Sequence, residues 1–218
     1  MLLLGACAGS EQDSAQMIRP GSTLEAELHF DRGVGLAAEG RYTEAIAAYE
    51  QAADLAPAYV KVYYNLGNAC ARQLNYPRAI EAYQRVLNLD STHVSARHNL
   101  AAMYVKQLNY ARAIEEHRRV LELSPGHLTT YYDLGYIYFL RGEYEEVEQL
   151  LQEGMRRDST YAAFYRLLGR MRFKELEFEP AALALRRSSP SLVSRVLYAG
   201  ARCDSRCGGG VGPVRRRG

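Results

Sequence analysis

A register of 34 residues governs this chain. Tyr42, Tyr76, Tyr110 and Tyr144 stand 34 residues apart, and Phe178 continues the row. Leu66, Leu100, Leu134 and Leu168 keep the same step, as do the small residues Gly33, Gly67, Ala101, Gly135 and Gly169. A further row runs Ala45, Ala79, Ala113, Val147 and Ala181. Repetition at this period means units that bury their apolar faces only by stacking on one another. It also accounts for a skewed composition: of 17 Tyr in 218 residues, sixteen lie between Tyr42 and Tyr165.

Each unit contains two stretches of helical period. In 60–73, Val62, Tyr63, Leu66, Ala69 and Cys70 share one face; in 76–89, Ala79, Ile80, Tyr83, Val86 and Leu87 do. The small column marks where two helices of a pair approach closely, with Tyr and Leu filling the space around it. Gly40, Asn75, Asn109 and Gly142 lie between the stretches and suit the left-handed conformation that ends a helix. Pro57 and Pro125 fall where new helices begin, with Ser124 as an N-cap. Ser22 and Glu25 form a capping box for the first helix. Gly154 lies inside a helix, which is expected to be the least regular one.

These rows resemble the tetratricopeptide repeat family. Tyr63, Leu66-Gly67, Tyr76, Ala79 and Tyr83 fit its pattern, as do Tyr131, Leu134-Gly135, Tyr138, Gly142 and Tyr144. Cys70 and Arg97 depart from it at aromatic columns. The units read 26–59, 60–93, 94–127 and 128–161, with a partial fifth over 162–185. The resemblance implies an all-α fold, a right-handed superhelical solenoid of antiparallel helix pairs. A repeat domain over 24–185 would follow a flexible linker over 8–23.

The two ends differ from this body. Leu4-Gly5-Ala6-Cys7 resembles a bacterial lipobox, which implies lipidation of Cys7 and a place in the cell envelope, facing the periplasm. Residues 1–7 would then be a truncated signal, with the true start upstream; without a lipobox the chain is expected in the cytoplasm. Residues 186–218 hold eight Arg and one acid, Asp204, so that the body carries the opposite sign: +2 − 7 = −5. This end reads either as a disordered Arg/Gly/Ser-rich tail or as an out-of-frame translation, and the loss of register inside a helix favours the second.

Catalytic chemistry finds no support. Cys203 and Cys207 have no partner pair for zinc. The five His form no nucleophile–base set, His117 falls in a core column, and Gly208-Gly209-Gly210 follows no strand. No cofactor, metal or catalytic residue is expected, and an acidic body gives no reason to expect nucleic acid.

The resemblance implies binding on an inner wall lined by the first helix of each pair. Its columns supply Lys61, Tyr64, Asn65, Asn68, Arg72, His98, Asn99, Lys106, Tyr132, Tyr136, Arg166 and Arg170. Asn65 and Asn99 occupy one column, similar to the asparagine ladder of O-linked N-acetylglucosamine transferases, where amides clamp a peptide backbone; Asp133 breaks a third rung. A side-chain amide both donates and accepts, as a peptide bond requires. Lys61, Arg72, Lys106, Arg166, Arg170 and Lys174 face Glu27, Asp31 and Asp133, which favours an acidic partner peptide. The carboxylate clamp of chaperone-binding relatives is matched only at Asn68 and Asn99. The chain is thus expected to be a non-catalytic scaffold for a protein or peptide, touching a membrane only through Cys7. The alternative is a detached substrate-selecting part of a larger enzyme such as a glycosyltransferase. Oligomeric state is not legible.

Overall fold

The computed structural model describes residues 20–174 and 183–184, with side chains from Thr23 onward. The described residues form helices throughout, joined in antiparallel pairs: α1 (Pro20–Ala38) with α2 (Tyr42–Leu55), α3 (Val60–Arg72) with α4 (Tyr76–Leu89), α5 (Val94–Lys106) with α6 (Tyr110–Leu123), and α7 (Leu128–Arg141) with α8 (Tyr144–Arg157). The last described helix is α9 (Ala162–Lys174). Each helix packs on its neighbours in sequence, and α7 also touches α9, so the pairs stack as a solenoid. Cys7, the 186–218 segment, Phe178 and Ala181 lie outside the described residues. α1 starts at Pro20, inside the stretch read as linker, so Ser22 belongs to the helix rather than capping it.

The turns within pairs repeat one geometry. The N–H groups of Arg41, Asn75, Asn109 and Glu143 donate to the carbonyls of Leu36, Cys70, Tyr104 and Tyr138 at 2.9–3.0 Å. The residue before each has positive φ: Gly40 at 77°, Leu74 at 61°, Leu108 at 59° and Gly142 at 79°. This is the Schellman closure, which satisfies carbonyls left open at a helix end. Asn75 and Asn109 therefore do not adopt the left-handed conformation expected of them. They are N-caps instead, accepting from the Arg78 and Arg112 amides at 3.3 Å.

Pro57 and Pro125 sit in the turns between pairs, three residues before α3 and α7. Ser124 is the C-cap of α6, and its carbonyl accepts from His127 N–H at 3.1 Å. Proline thus fixes φ of a β-turn rather than a first helical turn. Carbonyls at one column of these turns are bound by side chains. Tyr131 and Tyr165 hydroxyls donate to Pro125 and Ser159 at 3.2 and 2.8 Å. Arg97, at the same column as those tyrosines, donates to Ser91 at 2.8 Å and pairs with Glu116 at 2.7 Å. Its departure from the aromatic pattern preserves the contact.

The small column is set by the ring that faces it. A Cβ on Gly33 would stand 2.5 Å from Tyr49, and one on Gly67 2.6 Å from Tyr83. Ala101 fits in the third pair, where the column holding Tyr49 and Tyr83 carries the smaller His117. Gly154 follows the same logic: a Cβ there would meet the Phe164 ring at 2.5 Å. α8 is as long as α2, α4 and α6, 14 residues, so Gly154 does not interrupt the helix. The column of Gly154 elsewhere holds Ala52, Val86 and Val120, and that of Phe164 holds Val62, Ala96 and Thr130, all buried. The largest of these residues, Phe164, comes with the smallest, Gly154, while the other seams combine residues of intermediate size, which keeps the volume between pairs similar.

Candidate functional site

The first helices α3, α5, α7 and α9 carry the twelve residues singled out from the sequence. On α3, Lys61, Tyr64, Asn65, Asn68 and Arg72 recur at spacings of three and four, which places them along one face. His98, Asn99 and Lys106 occupy α5, Tyr132 and Tyr136 occupy α7, and Arg166 and Arg170 occupy α9.

The polar members divide into two groups. Asn99 donates from Nδ2 to Asn68 Oδ1 at 3.1 Å and toward Tyr64 Oη at 3.4 Å. Tyr83 donates its hydroxyl to the same Asn68 Oδ1 at 2.7 Å, and burial raises the Tyr83 pKa. Asn68 and Asn99 therefore knit α3 to α5. Asn65 donates to the Lys61 carbonyl of its own helix at 2.9 Å. One N–H and Oδ1 of Asn65 have no partner among the described residues, which leaves it the donor and acceptor that an extended backbone requires.

The aromatic members form a platform. Tyr132 and Tyr136 stack with centroids 6.3 Å apart and planes 7° from parallel; Phe139 continues the row 6.2 Å from Tyr136. The Arg170 guanidinium from α9 lies 5.3 Å from the Tyr136 ring and 5.4 Å from Phe139, a cation–π contact across the last stacked helices. Arg170 is thus partly engaged within the chain, whereas Lys61, Arg72, Lys106 and Arg166 make no ion pair with described residues. On the acidic side, Asp133 is half-buried with its Oδ2 3.5 Å from His98 Nε2, and burial raises its pKa to about 6.

His98 belongs to a packed contact as well as to the wall. Its ring lies 5.4 Å from His117 and 5.0 Å from His127, and its Nδ1 is 3.3 Å from Thr130 Oγ1. Sequence reading considered each histidine singly and missed this grouping, which the 34-residue columns do contain. Cys70 is fully buried, and desolvation pushes its thiol up to about 11, which keeps it protonated and unreactive.

Two large clefts open away from these residues. One of about 650 Å³ involves Arg97 and α6, including Glu115, Glu116, Arg118 and Arg119. Another of about 550 Å³ lies between α6, α7 and α8 and includes Leu121, Tyr131, Tyr138, Leu150 and Arg157. Sequence reading did not anticipate either, because each is a gap left between packed helices rather than a residue pattern. Among the described residues no three His, Cys, Asp or Glu are placed to hold a metal ion, and no helix is long and apolar enough to cross a membrane.

Comparison with known proteins agrees with this architecture. Two sequence models of the tetratricopeptide repeat match residues 30–93 and 92–160. No curated protein matches the chain. Among solved structures, a MamA protein superposes with a TM-score of 0.69 at 19% identity, over 88% of this chain and 100% of that one. YrrB, described as a repeat protein with an unusual peptide-binding site, gives 0.64 at 18% identity over 79% and 90%. PilF of Pseudomonas aeruginosa gives 0.64 at 14% identity over 87% and 95%.

Proposed function

Because the chain belongs to the tetratricopeptide repeat family, a family of protein-interaction scaffolds, we propose that it binds an extended acidic peptide along its first-helix wall. The observation that carries this reading is the row of exposed cations Lys61, Arg72, Lys106 and Arg166 without ion partners among the described residues. In a body of opposite net charge, such a row favours a partner rich in carboxylates. Asn65 would hold the peptide backbone, and the Tyr132–Tyr136 platform would take an apolar side chain. The peptide-binding site ascribed to YrrB lends support at the level of the fold.

The test is fluorescence anisotropy with a capped, labelled peptide of alternating Glu and Gly and a Lys-and-Gly counterpart. The acidic peptide should bind, lose at least about tenfold in affinity in Lys61→Glu with Lys106→Glu, and weaken as salt shortens the Debye length from roughly 10 Å. Equal binding of both peptides, or no effect of the double reversal, would refute the assignment.

The same reading extends to location: Cys7, as a lipidated cysteine, would hold the scaffold on a bacterial envelope membrane. Incorporation of an alkynyl fatty acid that survives Cys7→Ser would remove that part.

A further inference from the structure

A ring triad recurs along the solenoid. Its members come from the first helix of a pair, the second helix, and the residue just before the next pair. In the first pair they are Phe30, Tyr49 and Tyr59, with Phe30 5.9 Å from Tyr49 and 5.3 Å from Tyr59. In the second they are Tyr64, Tyr83 and His93, at 6.2 and 5.2 Å from Tyr64. In the third all three are imidazoles: His98 lies 5.4 Å from His117 and 5.0 Å from His127. The fourth pair has Tyr132, Leu151 and Tyr161 at these columns. One junction of the stack, and among these columns only that one, is therefore built wholly from imidazoles, the rings whose unperturbed pKa lies near neutral pH.

We propose that the junction between the α5–α6 pair and the α7–α8 pair is a proton-operated joint, in which protonation of the His98–His117–His127 cluster loosens α7 from α5 and α6. His117 is 1% exposed, and its Nδ1 has no hydrogen-bond partner. A second proton on that ring would place a charge among packed side chains with nothing to receive it. His98 and His127 direct Nδ1 at one hydroxyl, Thr130 Oγ1, at 3.3 and 2.7 Å. That hydroxyl can donate to only one of them, so it serves two neutral rings in opposite senses; with both rings charged it accepts from both, and its own hydrogen loses the ring nitrogen it had donated to. Charging neighbouring rings also sets like charges against each other.

The groups facing the cluster are few. From α7 there are Thr130 and the Asp133 carboxyl, 3.5 Å from His98. On α5, Arg97 beside His98 is held by Glu116 of α6, and on α6 Arg118 donates to the Tyr138 hydroxyl of α7 at 2.8 Å. On the α3–α4 side, Tyr64 and Tyr83 face Asn68 and Asn99. Asp133 is the one carboxylate found in contact with the cluster among the described residues.

Linkage fixes the direction. Burial, then the neighbouring imidazoles, lowers His117 from 6.5 to about 3, and burial followed by His127 lowers His98. Below about pH 6.5 the unfolded chain thus binds protons that the folded junction refuses, and stability falls with pH. Asp133 acts the other way: raised to about 6, it takes up a proton in the folded state and offsets one of the two. His98 lies between Asn65 and the Tyr132 platform along the first-helix wall, so loosening at this point divides that wall.

The chain itself supplies the test variant. His98→Tyr with Ala101→Gly and His117→Tyr copies Tyr64, Gly67 and Tyr83 of the preceding pair, including the glycine that a tyrosine requires. Urea unfolding of the full chain between pH 7.5 and 5.5 should show wild type losing at least about tenfold in its folding equilibrium relative to this graft. Asp133→Asn, which removes the offset, should steepen the wild-type loss below pH 6. Hydrogen exchange at pH 5.5 should show α7 and α8 losing protection before α1–α4. Parallel pH curves for wild type and graft would overturn the proposal. Should the graft fail to fold, imidazole NMR on wild type decides: a His117 that titrates near 6.5 with no change in α7 exchange also overturns it.

Discussion

Side-chain volume decides which small residues are obligatory. Gly67→Ala should lower stability by about 1–3 kcal/mol in urea unfolding, because the new methyl would overlap the Tyr83 ring. Tyr83→His in the same molecule should recover much of that loss, since Ala101 already coexists with His117. At the turns, Leu74→Gly and Leu108→Gly should each raise stability by about 0.5–1 kcal/mol, because leucine occupies a left-handed conformation there with its side chain exposed. Unchanged midpoints in either series would contradict these packing and backbone arguments. The 34-residue rows made the small column legible in the sequence. They did not reveal which glycine tolerates a methyl, since that depends on a ring supplied by the opposite helix. The slip from Leu74 and Leu108 to Asn75 and Asn109 has a similar cause. Asparagine favours both the left-handed region and N-caps, and only backbone geometry separates the two.

Helices follow the register closely, and their ends depart from it for identifiable reasons. Gly154 reads as a weak point because glycine costs a helix about 1 kcal/mol relative to alanine. The seat for Phe164 reverses that expectation: Gly154→Ala should destabilise the chain by about 1–3 kcal/mol despite its higher helix propensity. Gly154→Ala with Phe164→Val should be more stable than the single variant, as a thermal melt of both would show. Proline and Ser124 suggested helix starts, but the turns between pairs are long enough to hold a β-turn before the helix begins. Arg97 was legible as a departure; its role became visible only with the Ser91 carbonyl and Glu116 in place. Within the candidate site, the sequence indicated the face and its charges. It did not separate Asn65, with open hydrogen-bonding capacity, from Asn68 and Asn99, which bond to each other, because that distinction rests on neighbours 31 residues apart.

Across the whole molecule, contacts run from pair to pair, so opening at one place need not open another. Cys70 offers a reporter for the α3–α4 pair. Fully buried, with its thiol pushed up to about 11, it should react with iodoacetamide at pH 8 at least about 100-fold more slowly than in urea, as peptide mass mapping would measure. Rapid native alkylation would mean that this pair opens on its own. Stacking pair on pair also bears on descent by duplication. Val120 occupies the column where Gly154 stands, and Thr130 the column where Phe164 stands. Exchanging neighbouring pairs would therefore set valine against phenylalanine at one seam and leave a void at the next. The copies share a pattern yet fit in a single order, so recombination between them in the gene would yield chains whose seams no longer match.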